Sequence, residues 1–274
     1  MTRRLLLAWL VIGPALVRAA YPPQDPSASL DALLRDVWAQ GAGKTYDLFM
    51  GKNRVPMSAA ARAAFPKEMI ELAESYSLAG MLLQKRKSEF YEKGHPAKVE
   101  AFADAYFVHF MRSDLKSDAI TERIYLNVNP DHAAEVIRFL VKEVVTRGIV
   151  EAKVATPDGL EMRADAILIY ASSLGDVDWA LGKLEGYQAQ HGGHFLKDLP
   201  AATRPRMTGV STAAEPVASL KADSFGSYLT KCVEMAMKSP PAPADFTEFR
   251  KRVRAAMSAD GVDPDHPDRL TRRP

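Results

Sequence analysis

The seven residues Glu122-Arg123-Ile124-Tyr125-Leu126-Asn127-Val128 alternate in polarity with a period of two. Only an extended chain puts positions i, i+2 and i+4 on one side, so this segment reads as a strand. Ile124, Leu126 and Val128 turn one way. Arg123, Tyr125 and Asn127 turn the other, giving the strand a chemically rich face. Asn129-Pro130-Asp131 ends the strand and opens a helix, because proline fits a first helical turn. That helix is expected to reach about Arg147, with Gly148 as its stop. Ile149 to Thr156 reads as a second strand, Pro157-Asp158-Gly159 as a turn and Met162 to Ala171 as a third strand, so the latter two strands are expected to form a hairpin.

On the N-terminal side the periodicity is helical. Leu30, Leu33, Leu34 and Val37 share one face of a helix ending near Gln40. Gly41 to Met57 is loop-like. Further helices are expected over about Pro66–Lys87 and Ala97–Arg112. After the strands the pattern returns to helix over Asp176–His191. A loop region rich in Pro, Thr and Gly follows, then helices over about Phe225–Lys238 and Phe246–Ser258. Helices and strands are partly segregated, which predicts an α+β fold: a helical N-terminal third (residues 20–118), then a mostly antiparallel sheet packed with helices (residues 119–260). Residues 261–274, with three prolines and many charges, are expected to be a disordered tail.

The first nineteen residues have the layout of a secretory signal peptide: Arg3 and Arg4, a 13-residue apolar run from Leu5 to Val17, and small residues before Ala20. A spanning helix needs roughly 17–25 residues, so no stable membrane span is expected after cleavage and the destination is secreted or periplasmic. Cleavage removes three arginines and takes Lys+Arg from 36 to 33 against 34 Asp+Glu, a net charge of −1. That balance gives no electrostatic footprint for nucleic acid. Cys232 is the only cysteine, so no intramolecular disulfide can staple the fold and no paired cysteines suggest zinc. His191-Gly192-Gly193-His194 lacks a third ligand nearby in sequence, so no metal or other cofactor is expected.

Several residues carry two readings. Arg123, Tyr125 and Asn127 are either the solvated face of an edge strand or the wall of a site. Lys153, beside Glu151, is either a surface lysine with a cross-strand partner or a functional amine. Arg163 and Asp165 are either a structural ion pair or part of an anion clamp. Tyr170 fits the core, since seven residues separate it from Arg163 and an ideal strand would put the two on opposite faces. Ser224-Phe225-Gly226 reads as a helix cap with a buried aromatic.

Four ordered pieces give residues 120–238 a resemblance to a known family. They are Arg123-Ile124-Tyr125-Leu126-Asn127-Val128; Arg163-Ala164-Asp165-Ala166 leading into Ile169-Tyr170; Met207-Thr208-Gly209-Val210 followed by Ala214-Glu215-Pro216; and Ser224-Phe225-Gly226. This pattern resembles the HopA family of bacterial type III effectors and lyase-type lanthipeptide enzymes, and more distantly the SpvC and OspF phosphothreonine lyases. The resemblance implies a carbon–oxygen lyase that eliminates phosphate from phosphoserine or phosphothreonine in a peptide or protein. It implies Lys153 and Tyr125 as catalytic groups, and Arg123, Asn127, Arg163, Asp165 and Arg206 as substrate or phosphate contacts. Tyr125 stands where the lyases are expected to have His. The residue types suit the chemistry: a lysine amine can take an α-proton, arginines can clamp a phosphate bidentately, and a phenol can protonate a departing oxygen. The other reading is a non-catalytic exported protein that binds a host or other partner protein.

Overall fold

A computed structural model describes residues 25–51, 55–65, 99–103, 107–112, 114–115, 120–145, 147–215 and 224–271. The expected signal peptide and the expected helix over Pro66–Lys87 lie outside the described residues. The described helices are α1 (Pro26–Gln40), α2 (Thr45–Met50), α3 (Ala59–Ala64), α4 (Ala133–Phe139), α5 (Pro157–Met162), α6 (Leu174–Gln190), α7 (Phe225–Lys238) and α8 (Phe246–Ala259). The strands are β1 (Val99–Ala103), β2 (Phe107–Arg112), β3 (Glu122–Leu126), β4 (Ile149–Ala155), β5 (Ile167–Ala171), β6 (Arg204–Met207) and β7 (Val210–Ala214). The strands form one sheet in the order β1-β2-β4-β5-β3-β7-β6, every neighbouring pair antiparallel. The α+β expectation holds.

Each sheet face has its own chemistry. Registered partners in an antiparallel pair share a face. Ile124 pairs with Ile169 and Thr212, and Ile169 with Ala152, which extends an apolar layer across the sheet. On the opposite face Arg123 lies beside Tyr170, and Tyr170 beside Glu151; one row along, Tyr125 lies beside Leu168, Leu168 beside Lys153, and Lys153 beside His109. α6 lies against β3 and β5, and the π-helical extension of α4 (Leu140–Val144) against β4. Near the chain's ends, α1, α2, α7 and α8 pack on one another. They reach the polar face through Phe49, whose ring meets Tyr125 edge-on at 6.3 Å.

Several boundaries differ from the sequence expectation. Val99–Ala103 and Phe107–Arg112 are a strand pair, not one helix. Phe107, Val108 and Phe110 suit a strand with both sides covered, and all three are buried. Pro157-Asp158-Gly159 opens α5 in place of a turn, with proline at its first position. The third strand therefore begins only at Ile167 and is joined to β4 through that helix. The Pro- and Gly-rich stretch contains β6 and β7. Pro205 is tolerated there because β6 is an edge strand. Where a disordered tail is expected, Val262 and Leu270 form a β-bridge and Ala214 N–H donates to Asp268 O at 3.0 Å.

Two glycines in the Met207–Val210 and Ser224–Gly226 motifs hold close approaches. Gly209, in the β6–β7 turn, has φ +64°, and a Cβ there would fall 2.3 Å from the Leu196 carbonyl. A Cβ on Gly226 would fall 2.5 Å from the Phe49 ring, so glycine lets α7 lie directly on α2. Ser224 caps α7 by accepting from Ser227 N–H at 3.0 Å.

Candidate functional site

The polar face gathers three cations around two aromatic rings. The Arg123 guanidinium carbon lies 5.0 Å from the Tyr170 ring centre, and Lys153 Nζ lies 5.5 Å from the same centre. Lys153 Nζ is also 5.8 Å from the centre of the Phe107 ring, which the Arg163 guanidinium covers at 4.6 Å. Lys153 thus stands between the two arginines, sharing one ring with each. Such contacts are worth roughly 0.5–2 kcal/mol apiece and hold the side chains in place.

Each arginine already has a carboxylate. Arg123 offers Nε and Nη2 to both oxygens of Glu215. Arg163 offers Nε and Nη2 to Asp165 at 2.8 and 2.9 Å, and Nη2 also lies 3.4 Å from the Tyr46 hydroxyl. Burial works against the Arg123 charge, but Tyr170, Tyr125 and Glu215 outweigh it and push its pKa above the ordinary arginine value. The same contest at Arg163, burial against Asp165, ends the same way. Burial raises the Asp165 carboxyl despite the opposing pull of Arg163. His109 and Glu151 form a third pair on this face, both side chains buried. Lys153 differs: half-buried, it has no hydrogen bond or carboxylate partner among the described residues.

The β3 side chains have unmet hydrogen-bonding capacity. Arg123 Nη1, Tyr125 Oη and Asn127 Oδ1 are buried without a partner among the described residues. The hydroxyl of Thr121, two positions before Arg123, is a fourth such atom. A buried polar atom left unpaired costs about 1–3 kcal/mol, so three on one strand face mark a place where a polar ligand would be stabilised.

The family model for the HopA1 effector protein family matches residues 100–269, well over half of the chain. The chain belongs to this family. The match takes in six strands completely and reaches from β1 past α8, a wider span than the four motifs. Among solved structures, an effector protein from Pseudomonas syringae pv. tomato strain DC3000 superposes with a TM-score of 0.62 at 17% identity, covering 90% of this chain and 99% of that one. An effector protein from Pseudomonas syringae pv. syringae strain 61 gives 0.58 at 16%, covering 90% and 98%. These identities establish a shared fold. The type III effector/phosphothreonine lyase OspF from Shigella flexneri gives 0.37 at 13%, covering 58% and 92%, too distant to support an argument. No curated protein matches the chain.

In this family member the structure brings Lys153, Arg123, Arg163 and Asp165 together. Tyr125 shares the row of Lys153 but lies two strands away, roughly 9.5 Å at the backbone. It is 1% exposed, and burial drives its hydroxyl pKa above the ordinary phenol value. Asn127 is at the strand end, its amide donating to Asp198 O at 2.9 Å. Arg206 is not with them: it reaches Asp178 of α6 at 3.2 Å. The parity conflict between Arg163 and Tyr170 disappears because Arg163 precedes β5, in the cap of α5. Tyr170, read from sequence as core, is buried there, and its ring also faces both Arg123 and Lys153. Glu215, the carboxylate held by Arg123, carried no signal beyond its place in an Ala-Glu-Pro motif.

Proposed function

We propose that this chain is a carbon–oxygen lyase that eliminates phosphate from phosphoserine or phosphothreonine in a peptide or protein. The observation that carries the reading is the Lys153 amine, without a hydrogen bond or carboxylate partner among the described residues, between two guanidiniums on one sheet face. In the proposed step the Lys153 amine takes the α-proton. The electrons of the broken Cα–H bond form the Cα=Cβ bond. The Cβ–O bond breaks, and its electron pair leaves on phosphate. Arg163 and Arg123 hold the phosphate oxygens and offset the charge that develops on them, Arg123 through Nη1, which has no partner among the described residues. A phenol, Tyr170 or Tyr125, supplies the proton to the departing oxygen. Tyr170 is favoured by its contact with both cations. Asn127 and Asp165 orient the substrate backbone and Arg163.

The experiment is incubation with phosphothreonine peptides, read by mass spectrometry. Elimination removes the mass of phosphoric acid, whereas hydrolysis removes only the phosphoryl group. Lys153→Ala is expected to abolish turnover with peptide binding largely kept. Arg163→Ala is expected to weaken binding as well, because a phosphate clamp acts on ground state and transition state alike. Product undiminished in Lys153→Ala would move the base elsewhere.

A second reading, a non-catalytic protein that binds a partner protein, is favoured by one observation: Arg123 and Arg163 are already neutralised by Glu215 and Asp165. Phosphopeptide panels that yield no product from folded wild type, whether or not they bind, would select it.

A further inference from the structure

We propose that His132, Glu135 and His194 form a binding site for a divalent transition-metal ion of the zinc class. The site lies beyond the end of β3, away from the cation cluster. His132 immediately precedes α4, and Glu135 stands three residues on, so both project from one side of that helix start. His194 ends the single 3-10 turn (Gly192–His194) that follows α6. The two segments are pinned together, since Asn129 N–H donates to His194 O at 2.9 Å and His132 N–H donates to Asn129 O at 2.9 Å.

The ligand atoms converge. One atom from each of the three residues lies within 4.8 Å of the others, and Glu135 Oε2 is 3.5 Å from His194 Nε2. The His132 and His194 rings lie 4.0 Å apart. Bonds of about 2.0–2.2 Å place tetrahedral ligand atoms about 3.3 Å apart, so binding must draw the widest pair in by roughly an ångström and a half. Rotation of the His132 ring out of its stack and of Glu135 about its side-chain bonds supplies that movement, for both reach solvent. His194 is the fixed ligand: it is buried, and its Nδ1 lies 3.0 Å from the Tyr187 hydroxyl. When Nδ1–H donates to Tyr187, the Nε2 lone pair faces Glu135 and is free to bind metal, the outer-shell arrangement that orients metal-ligating imidazoles. Two imidazole nitrogens and one carboxylate suit zinc-class ions over calcium or magnesium, which prefer oxygen ligands. A fourth position stays open for water or for His191, whose ring lies 4.8 Å from that of His194.

The test uses the full chain without a histidine tag, titrated with Co2+ and then Zn2+. One equivalent of Co2+ per chain is expected to give the visible absorption of low-symmetry four-coordinate cobalt, and Zn2+ is expected to displace it. His194→Ala and His132→Ala should each remove stoichiometric binding. Glu135→Gln, at an exposed position where folding is not at stake, should weaken Zn2+ at least tenfold. Tyr187→Phe should weaken it by about 10–100-fold by releasing His194. His266→Ala, at an exposed histidine elsewhere, should leave it unchanged. No stoichiometric cobalt spectrum from the wild type, or a spectrum that survives both Glu135→Gln and His194→Ala, overturns the assignment.

Discussion

Replacing Glu215 with glutamine removes the charge that neutralises Arg123 while nearly preserving shape. The Arg123 side chain is 3% exposed and that of Glu215 is 23% exposed. The guanidinium therefore has nowhere to go, and removing the partner of a buried charge costs about 3–5 kcal/mol. The lower end, about 3 kcal/mol, is expected, because the glutamine oxygen still accepts one bond from Arg123. Arg123→Met is the contrasting change. It keeps most of the volume, and the stranded Glu215 carboxylate can turn to water. Its cost is about 1–2 kcal/mol, from imperfect repacking and the lost contact with Tyr170. The order of the two variants thus inverts a simple count of lost contacts. Urea unfolding at pH 7, followed by tryptophan fluorescence, measures both. If the face binds phosphate, inorganic phosphate should replace the missing carboxylate and restore Glu215→Gln by about 2.7 kcal/mol at one hundred times its Kd. Arg123→Met should gain far less. Arg123→Met proving as costly as Glu215→Gln would refute the burial argument, and equal phosphate stabilisation of both would refute the role of Arg123 in anion binding.

Gly226→Ala should destabilise the protein by about 1–3 kcal/mol, since the new methyl group meets the Phe49 ring at 2.5 Å, and thermal melts of the variant check it. Cys232 is buried in α7, and burial pushes its thiol up to about 12, with Tyr228 pulling the other way. It should resist a disulfide reagent at pH 8 in the native protein and react on adding urea; rapid native labelling would contradict its placement. The unfolded thiol ionises near 9.0 while the folded one does not, so its contribution to stability is full below 9.0 and is lost as pH rises toward about 12. Equilibrium unfolding of wild type and Cys232→Ala at pH 8 and pH 10.5 should show the smaller pH loss in the variant.

The fold was legible where one period dominated. The alternation at 122–128 fixes both the strand and its face, and α7 and α8 run close to their apolar spacing. It was illegible where a local signal was right but served a different element. Pro157-Asp158-Gly159 has turn chemistry, yet proline at a first helical position and Leu160 buried beneath it make a helix of six residues. Phe107–Arg112 carries enough apolar residues to read as a helix face. Its β-favouring composition is decided by pairing with β4, whose registered partners lie 40 to 48 positions away along the chain, and no window of sequence contains that partner.

The candidate site shows the same division between local pattern and distant partner. Arg123, Tyr125 and Asn127 share a face because a strand requires it, and that much follows from the period alone. What the face can do depends on register. Lys153 meets Arg123 through Tyr170 only because β5 lies between β4 and β3. Arg163 joins them only because α5 delays the start of β5, which frees it from the parity that would have sent it to the far face. Arg206 looked equivalent as a basic residue in a loop, but β6 turns it toward Asp178 on α6. The proposed metal site is the sharpest case. No third ligand stands beside His191 and His194 in sequence; His132 and Glu135 lie some sixty residues earlier, with the three-residue spacing of a helix start as their only trace. Chemistry-bearing residues at helical or strand spacing therefore nominate half of a site, and the strand order supplies the other half.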